Sequence, residues 1–209
     1  MDLLDGKAVQ AVGGDREDYR PLSSPLCPNG NPFELLASYC RLGFSVIYLA
    51  DLDALLGGDR QRGLLDRLVK SFPEVHFWLD CGWPPLKPDA QITPVIGSEC
   101  LTSAFLDLLP SLPKPWILSL DFRHRFLGPP KLLKRPDLWP DRVIVMRLER
   151  VGRRKGPAFH QLAALRGCFP QKGWVAAGGV RHRGDLARLA RLGIETVLIA
   201  TALHGGQIP

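Results

Sequence analysis

Two adjacent glycines, Gly178 and Gly179, stand where the apolar run "WVAA" (174–177) gives way to the basic amphipathic segment "VRHRGDLARL". A buried strand that ends in paired glycines just before a helix has two physical readings. One is a tight strand-to-helix turn. The other is a grip on phosphate, in which backbone N–H groups and the positive helix end face an anion and the missing Cβ lets the backbone come close. Thr201 and Ala202, in "LIATAL", could complete such a cradle with their N–H groups and a hydroxyl, and Arg181 offers a counter-charge. Carboxylates form the second set. Asp2 lies in "MDLLDG", Asp121 in "LSLDFR", and Asp51 ends the apolar run "FSVIYLA". Each could face a ligand or merely tie a loop.

Composition narrows the chemistry. The chain has 209 residues, is 45% hydrophobic and has a mean hydropathy near zero, so it can bury a sizeable core. Apolar runs stay well short of the roughly 18 residues of a membrane span, and "MDLLDGK" lacks the basic and apolar regions of a leader, so the expected location is the cytoplasm. The five cysteines are scattered without C-x-x-C or histidine at ligand spacing, so no metal site is expected, and Cys81 is the candidate for a reactive thiol; no Walker loop or nucleophile elbow appears either, and no cofactor is expected. A net charge of +6 suits an anionic partner. Its basic residues are not interleaved with aromatics as a nucleic-acid platform requires, so a phosphorylated metabolite is expected, with neither nucleic acid nor membrane.

These groups need elements to hold them. Short apolar runs at 44–50, 75–79, 92–96, 116–120, 142–146, 174–177 and 196–200 read as strands buried on both faces, which implies a parallel sheet. Helical patterns fill the gaps at 32–42, 99–109 and 158–167, in "DRQRGLLDRLVKSF" and in "GDLARLARLG". With a vestigial strand at 2–4 the count reaches eight βα units, which points to one (β/α)8 barrel over residues 1–209, with an open doubly wound sheet as the alternative.

An internal repeat sharpens this reading. "HFWLDCGW" at 76 aligns with "GWVAAGGV" at 173, and "VIGSEC" at 95 with "LIATAL" at 198. The third and fourth strands thus match the seventh and eighth. Asp2 and Asp121 then fall at equivalent ends of the first and fifth strands, one carboxylate from each half at the same rim.

The segments "DLLDGKAVQAVGGDREDYRPL", "YLADLDA", "VIGSECL", "LSLDFR" and "AAGGVR", in this order, resemble the isomerase of histidine biosynthesis that acts on phosphoribosylformimino-aminoimidazole carboxamide ribotide (ProFAR), and more closely the related proteins of methanogens and methylotrophs. The resemblance covers nearly the whole chain. It implies a (β/α)8 barrel of two fused halves and a cofactor-free Amadori rearrangement of an aminoaldose to an aminoketose. It also implies two aspartates, Asp121 and Asp2, as general acid and base, and two phosphate sites, one in each half. Gly178, Gly179, Arg181, Thr201 and Ala202 would form one phosphate site, and Gly97 and Ser98 what remains of the other.

Three departures fall at the mouth. The third strand ends in Asp80-Cys81-Gly82-Trp83, where the family has a glycine run, so the second phosphate site is expected to be altered or lost and the substrate to carry one phosphate. The sixth strand has Met146 and Arg147 in place of Thr-Asp; Arg147 either recognises an anion or pairs with Glu149. The first strand is almost without a body, and the chain stops at Pro209 with no room for an eighth outer helix, so a partner subunit, as in a homo-oligomer, would cover apolar surface there. The loop "GGDREDYR" offers Asp15, Arg16 and Tyr19 to close on a ligand. The run Arg153, Arg154, Lys155 is a solvated loop or a cationic lid. His124 is the best-placed imidazole, while His76, His160, His182 and His204 read as surface or core residues. Beside the isomerase reading stand a related barrel enzyme of C1-cofactor (pterin or methanofuran) biosynthesis and a non-catalytic phosphate-ligand-binding subunit.

Overall fold

A computed structural model describes residues 1–15 and 18–208, so the expectation placed on Arg16 lies outside the described residues. The chain begins with the expected short strand β1 (Asp2–Leu4), to which β2 (Lys7–Gln10) and β3 (Arg20–Pro21) add an antiparallel flap that the apolar pattern did not announce. There follow α1 (Pro32–Arg41), β4 (Val46–Asp51), α2 (Leu52–Leu55), α3 (Arg62–Ser71), β5 (His76–Asp80) and β6 (Ile92–Gly97). The second half holds β7 (Ile117–Arg123), β8 (Arg125–Leu127), α4 (Pro130–Leu133), β9 (Arg142–Arg147), α5 (Phe159–Cys168), β10 (Gly173–Ala177), α6 (Arg183–Arg191), β11 (Thr196–Leu198) and α7 (Thr201–His204).

All eight expected strands form. β1, β4, β5, β6, β7, β9, β10 and β11 pair in parallel, each with the next in chain order. An open doubly wound sheet would reverse its strand order part-way; this one never does, which removes that alternative. The architecture is a (β/α)8 barrel whose seam, between β11 and β1, carries no strand pairing among the described residues. The repeat has a physical counterpart: Asp80 and Ala177 both end their strands, and Ser98 and Thr201 both open a short helix.

The helix expected at 99–109 is instead two 3-10 segments, Ser98–Cys100 and Ser103–Ser111. Pro110 lies inside the second, and its missing N–H and ring clash work against continuous α-helical bonding. Elsewhere the caps act as the sequence suggests. Asn31 accepts from the N–H groups of Phe33 (2.9 Å) and Glu34 (3.4 Å), with Pro32 as the first helical residue.

Strand parity sorts the core. Val143, Val145, Trp174 and Ala176 face outward to the helices, whereas Trp78, Val95, Ile117, Ile144, Met146 and Val175 fill the barrel interior. At the seam β1 reaches only Ala50 and Asp51 of β4. The amino group of Met1 donates to the Tyr48 carbonyl (2.8 Å), and Val46 is 47% exposed. Side chains replace the missing ladder, because Leu203 and Ile199 pack against the cluster that holds Leu3, Leu36 and Tyr39. Among the described residues no helix is long and apolar enough to cross a membrane, and no group of side chains could hold a metal ion.

Candidate functional site

A cavity of about 400 Å³ opens at the C-terminal ends of the strands. Asp2, Tyr48, Asp80, Glu99 and Asp121 line it from the first five strands and their loops; Gly178, Gly179, Ala200 and Thr201 line it from the last two. Parity explains who is inside. Ile117, Ser119 and Asp121 alternate along one face of β7, so a run whose apolar members point inward must point Asp121 inward at its end. Trp78 directs Asp80 into the cavity in the same way.

Asp121 is 4% exposed. Its Oδ1 accepts from the Ser119 hydroxyl (2.6 Å) and its Oδ2 from the Glu99 N–H (3.2 Å). The Ser98 oxygen accepts from the Asp121 N–H (2.9 Å), and its hydroxyl donates to the Leu127 carbonyl (2.6 Å). Burial, and then the charges of Glu99 and Asp80, hold the Asp121 carboxyl well above the usual carboxylate range, against the opposing Ser119 hydrogen bond. Asp2 sits in register with Ala50 on the cavity face, close enough to Tyr48 and Tyr39 to discourage their ionisation.

Several expected ligand contacts take other roles. Gly97 and Ser98 do not line the cavity. Gly97 has ordinary strand backbone (φ −70°), and a Cβ there would lie 3.0 Å from Asp121 Oδ2 and 3.6 Å from Asp80 Oδ2. Its missing side chain makes room for carboxylates. Asp51 lies on the outward face of β4, fully buried, and accepts from the N–H groups of Gln61 (2.9 Å) and Ala54 (3.4 Å), so it ties the following loop. Arg147 also falls outward by parity. It pairs with Glu149, bonds Gln161 and lies over the Phe122 ring, so pairing is the reading realised for it. Arg181 forks onto Asp185 (2.9 and 2.7 Å) and lines a separate cleft outside the barrel.

The paired glycines both have positive φ, +92° and +87°. The space a Cβ would occupy is taken by backbone of the loop after β9: the Arg147 carbonyl oxygen stands 2.7 Å from that point at Gly178, and the Gly156 carbonyl crowds Gly179. Glycine is therefore required by the turn and by this close packing, whatever faces the cavity. Thr201 opens α7 at the cavity edge, and Ala202 is buried behind it.

Of the basic run, only Arg154 lines the cavity, and its guanidinium packs against Gly205. Arg153 pairs with Asp15 (3.1 Å), which also binds Arg123, and Lys155 faces the outer cleft. Asp15 thus anchors the first-half loop to the second half, with the Gly13 N–H donating to the Val151 carbonyl (2.9 Å), while Tyr19 is buried at the cavity wall.

One expectation is overturned. Cys81 is buried, and its thiol is pushed up to about 12 by burial and by Asp51 and Asp80, with Arg60 opposing, so it is a poor nucleophile. All five cysteines are free. His204, half-buried at the cavity wall, bridges Ser24 Oγ (2.9 Å) and the Tyr39 hydroxyl (2.8 Å), clasping the seam. His124 follows the last residue of β7 in left-handed backbone (φ +61°) and does not line the cavity.

The histidine biosynthesis protein family matches residues 137–209, the segment that carries Gly178, Gly179 and Thr201. By sequence the chain is similar to histidine-biosynthesis isomerases. An imidazole-4-carboxamide isomerase of Saccharopolyspora erythraea is 26% identical over 99% of this chain and 92% of its own length. Phosphoribosyl isomerase A of Mycobacteroides abscessus is 24% identical over the same shares. An uncharacterized protein of Methanocaldococcus jannaschii is 28% identical, over 100% of this chain and 92% of its own. Residues missed from sequence include Tyr48, whose hydroxyl donates to Asp80 (3.0 Å), and Glu99, which lines the cavity and whose N–H donates to Asp121 (3.2 Å). The signal was available: Tyr48 shares its strand face with Ala50, two residues on.

Proposed function

We propose that the chain is an isomerase-like enzyme that performs cofactor-free acid/base chemistry on a ribose-derived metabolite carrying one phosphate. The observation that carries this reading is the shared cavity: a buried carboxyl held toward its neutral form, Asp121, lies in the same 400 Å³ space as Asp2 and the glycine-rich turn. The similarity of the whole chain to phosphoribosyl isomerases supports it.

The geometry suits an Amadori rearrangement. Asp121, as the acid, gives its proton to the ring oxygen of an N-linked aminoaldose, and the anomeric C–O bond breaks as the nitrogen lone pair forms a C=N bond. Asp2, as the base, takes the proton from C2 to give an enolamine. That enolamine takes a proton at C1 from Asp2 and returns its hydroxyl proton to Asp121, which leaves an aminoketose and resets both groups. Gly178, Gly179 and Thr201 hold the phosphate with backbone N–H groups and a hydroxyl, and Arg154 supplies the nearby cation. The third-strand side presents Asp80 and Glu99 where a second phosphate would need backbone N–H groups. This acidic side favours a substrate other than the doubly phosphorylated ProFAR.

Ribose 5-phosphate is the probe. Calorimetric binding that weakens in Thr201→Val, with no growth of a histidine auxotroph carrying the gene, is the expected outcome. Growth of the auxotroph would replace the one-phosphate reading with true ProFAR isomerase activity. A protein that neither binds ribose 5-phosphate nor turns over ProFAR overturns the proposal.

A further inference from the structure

The cleft outside the barrel carries charge of one sign. It encloses about 390 Å³ where the loop after β9 and the start of α5 meet Arg181 and Arg188, the latter on α6. Five cationic side chains line it, Arg147, Arg150, Lys155, Arg181 and Arg188, together with the His160 imidazole, and no carboxylate does. A single loop separates this cleft from the barrel cavity. Val151, Gly152 and Arg154 face the cavity, whereas Arg150, Lys155 and Gly156 face the cleft.

The partners of these cations divide them into two groups. Arg147 pairs with Glu149 and Arg181 with Asp185, so two charges are offset where they stand. The other three form no ion pair among the described residues. Arg150 donates from one nitrogen, Nη1, to the carbonyls of Gly156 (2.8 Å) and Pro157 (3.0 Å), neutral acceptors that leave its charge in place. Arg188 lies over the Phe159 ring, its guanidinium carbon 4.0 Å from the ring centroid. That contact supports one flat face of the guanidinium and leaves its N–H edge open. The Lys155 side chain makes no hydrogen bond with any described residue. Like charges gathered around one concavity repel one another, and a bound anion relieves that repulsion.

Size and charge together select the anion. The volume falls at the small end of the roughly 300–1,000 Å³ that ligand pockets span, which suits a small molecule. A nucleic-acid strand needs open aromatic faces for its bases, and the one ring here, Phe159, is buried and covered by Arg188. One phosphate group carries a charge of about −1.5 to −2 at neutral pH, too little to match three cations on three side chains. Two linked phosphates carry more charge and reach further. We propose that the outer cleft is a second anion site, for a small molecule bearing linked phosphates, held by Arg150, Lys155 and Arg188. The site stands apart from the barrel cavity and does not depend on the isomerase reading.

Calorimetric titration of the full chain with inorganic pyrophosphate at low ionic strength tests this. Binding is expected, and it should weaken by about fivefold in Lys155→Ala and in Arg188→Ala, and further in the double variant. Both side chains are exposed, so the fold should tolerate their loss. Inorganic phosphate should bind the cleft about tenfold more weakly than pyrophosphate, as the smaller charge requires. Two controls locate the site. Thr201→Val, at the cavity edge, should leave pyrophosphate binding unchanged. Arg183→Ala removes the same charge from α6 at a position that does not line the cleft, and should alter the affinity by less than about twofold. No pyrophosphate binding, a loss in Arg183→Ala or Thr201→Val equal to that in Arg188→Ala, or phosphate bound as tightly as pyrophosphate would each overturn the proposal.

Discussion

The two halves of this barrel repeat one plan with different inward side chains. In the second half the strand-end position is Ala177, followed by two glycines, and Thr201 opens the next short helix; in the first half it is Asp80, followed by Cys81 and Gly82, and Ser98 opens the helix. Asp80 and Ala177 both point into the cavity from the same place in the repeat. One side chain is a carboxylate and the other a methyl, and under the proposed function the wall beside the methyl is the one that admits the anion. Serine and threonine diverge too. Ser98 is consumed by Asp121 and Leu127, whereas Thr201 stands at the cavity edge. A duplicated scaffold can therefore keep its backbone turns in both copies while a few inward side chains differ; under the proposed function those side chains divide the labour into an acid half and an anion half.

The most severe way to break this comparison is to disarm the acid half. Asp121→Asn should cut turnover of the true substrate by about 10²- to 10⁴-fold, measured as kcat with the phosphate site intact. The same change should raise the melting temperature at neutral and alkaline pH. The Asp121 carboxyl titrates well above its unfolded value, so its contribution to stability is complete below about pH 3.9 and is lost as pH rises through the folded value. An asparagine cannot ionise and escapes that loss, so the gain should vanish in acid; calorimetric scans across pH check this.

A second change converts one half into the other. Asp80→Ala with Cys81→Gly gives the first half the sequence of the second, and phosphate titration should move from one bound anion toward two. A stoichiometry that stays at one would mean that Glu99 and the lost loop geometry, and not Asp80, exclude the second phosphate.

The anion half is probed more gently. Thr201→Val removes one hydroxyl from the cradle and should weaken ribose 5-phosphate binding by about fivefold, the worth of one hydrogen bond near 1 kcal/mol. Arg181→Ala should alter that affinity by less than about twofold, because the guanidinium is engaged with Asp185 away from the cavity.

The seam between the halves gives a pH effect of its own. Burial and the N-terminal cation lower His204 from 6.5 to about 4, so in the fold the ring stays neutral while it joins Ser24 to Tyr39. The folded state then binds fewer protons than the unfolded chain in that interval. Stability is full above about pH 6.5 and falls as pH drops toward 4, by an amount muted by the ring's partial exposure. His204→Gln should flatten that part of the melting-temperature curve, leaving a smaller slope from the carboxylates.

Much of this was legible without coordinates. Short apolar runs of three to seven residues bounded by turns have one comfortable home, a strand buried on both faces, and eight of them alternating with amphipathic segments nearly specify a barrel. The internal repeat marked Asp2, Asp121 and the glycine turn as rim residues. Strand parity, had it been applied, would also have turned Asp51 and Arg147 outward and Tyr48 inward, because period-two alternation is fixed by the pleat. The chain alone could not reveal that Gly97 serves two carboxylates, that Gly178 and Gly179 yield to the carbonyls of Arg147 and Gly156, or that His204 clasps a seam 180 residues from Ser24. Those are encounters between distant segments. A residue's own sequence neighbours set which way it points, but what it meets there depends on how the staves stand side by side. The pairing of successive strands decides that, which is why Asp121 on β7 meets Ser98 and Glu99 from the end of β6.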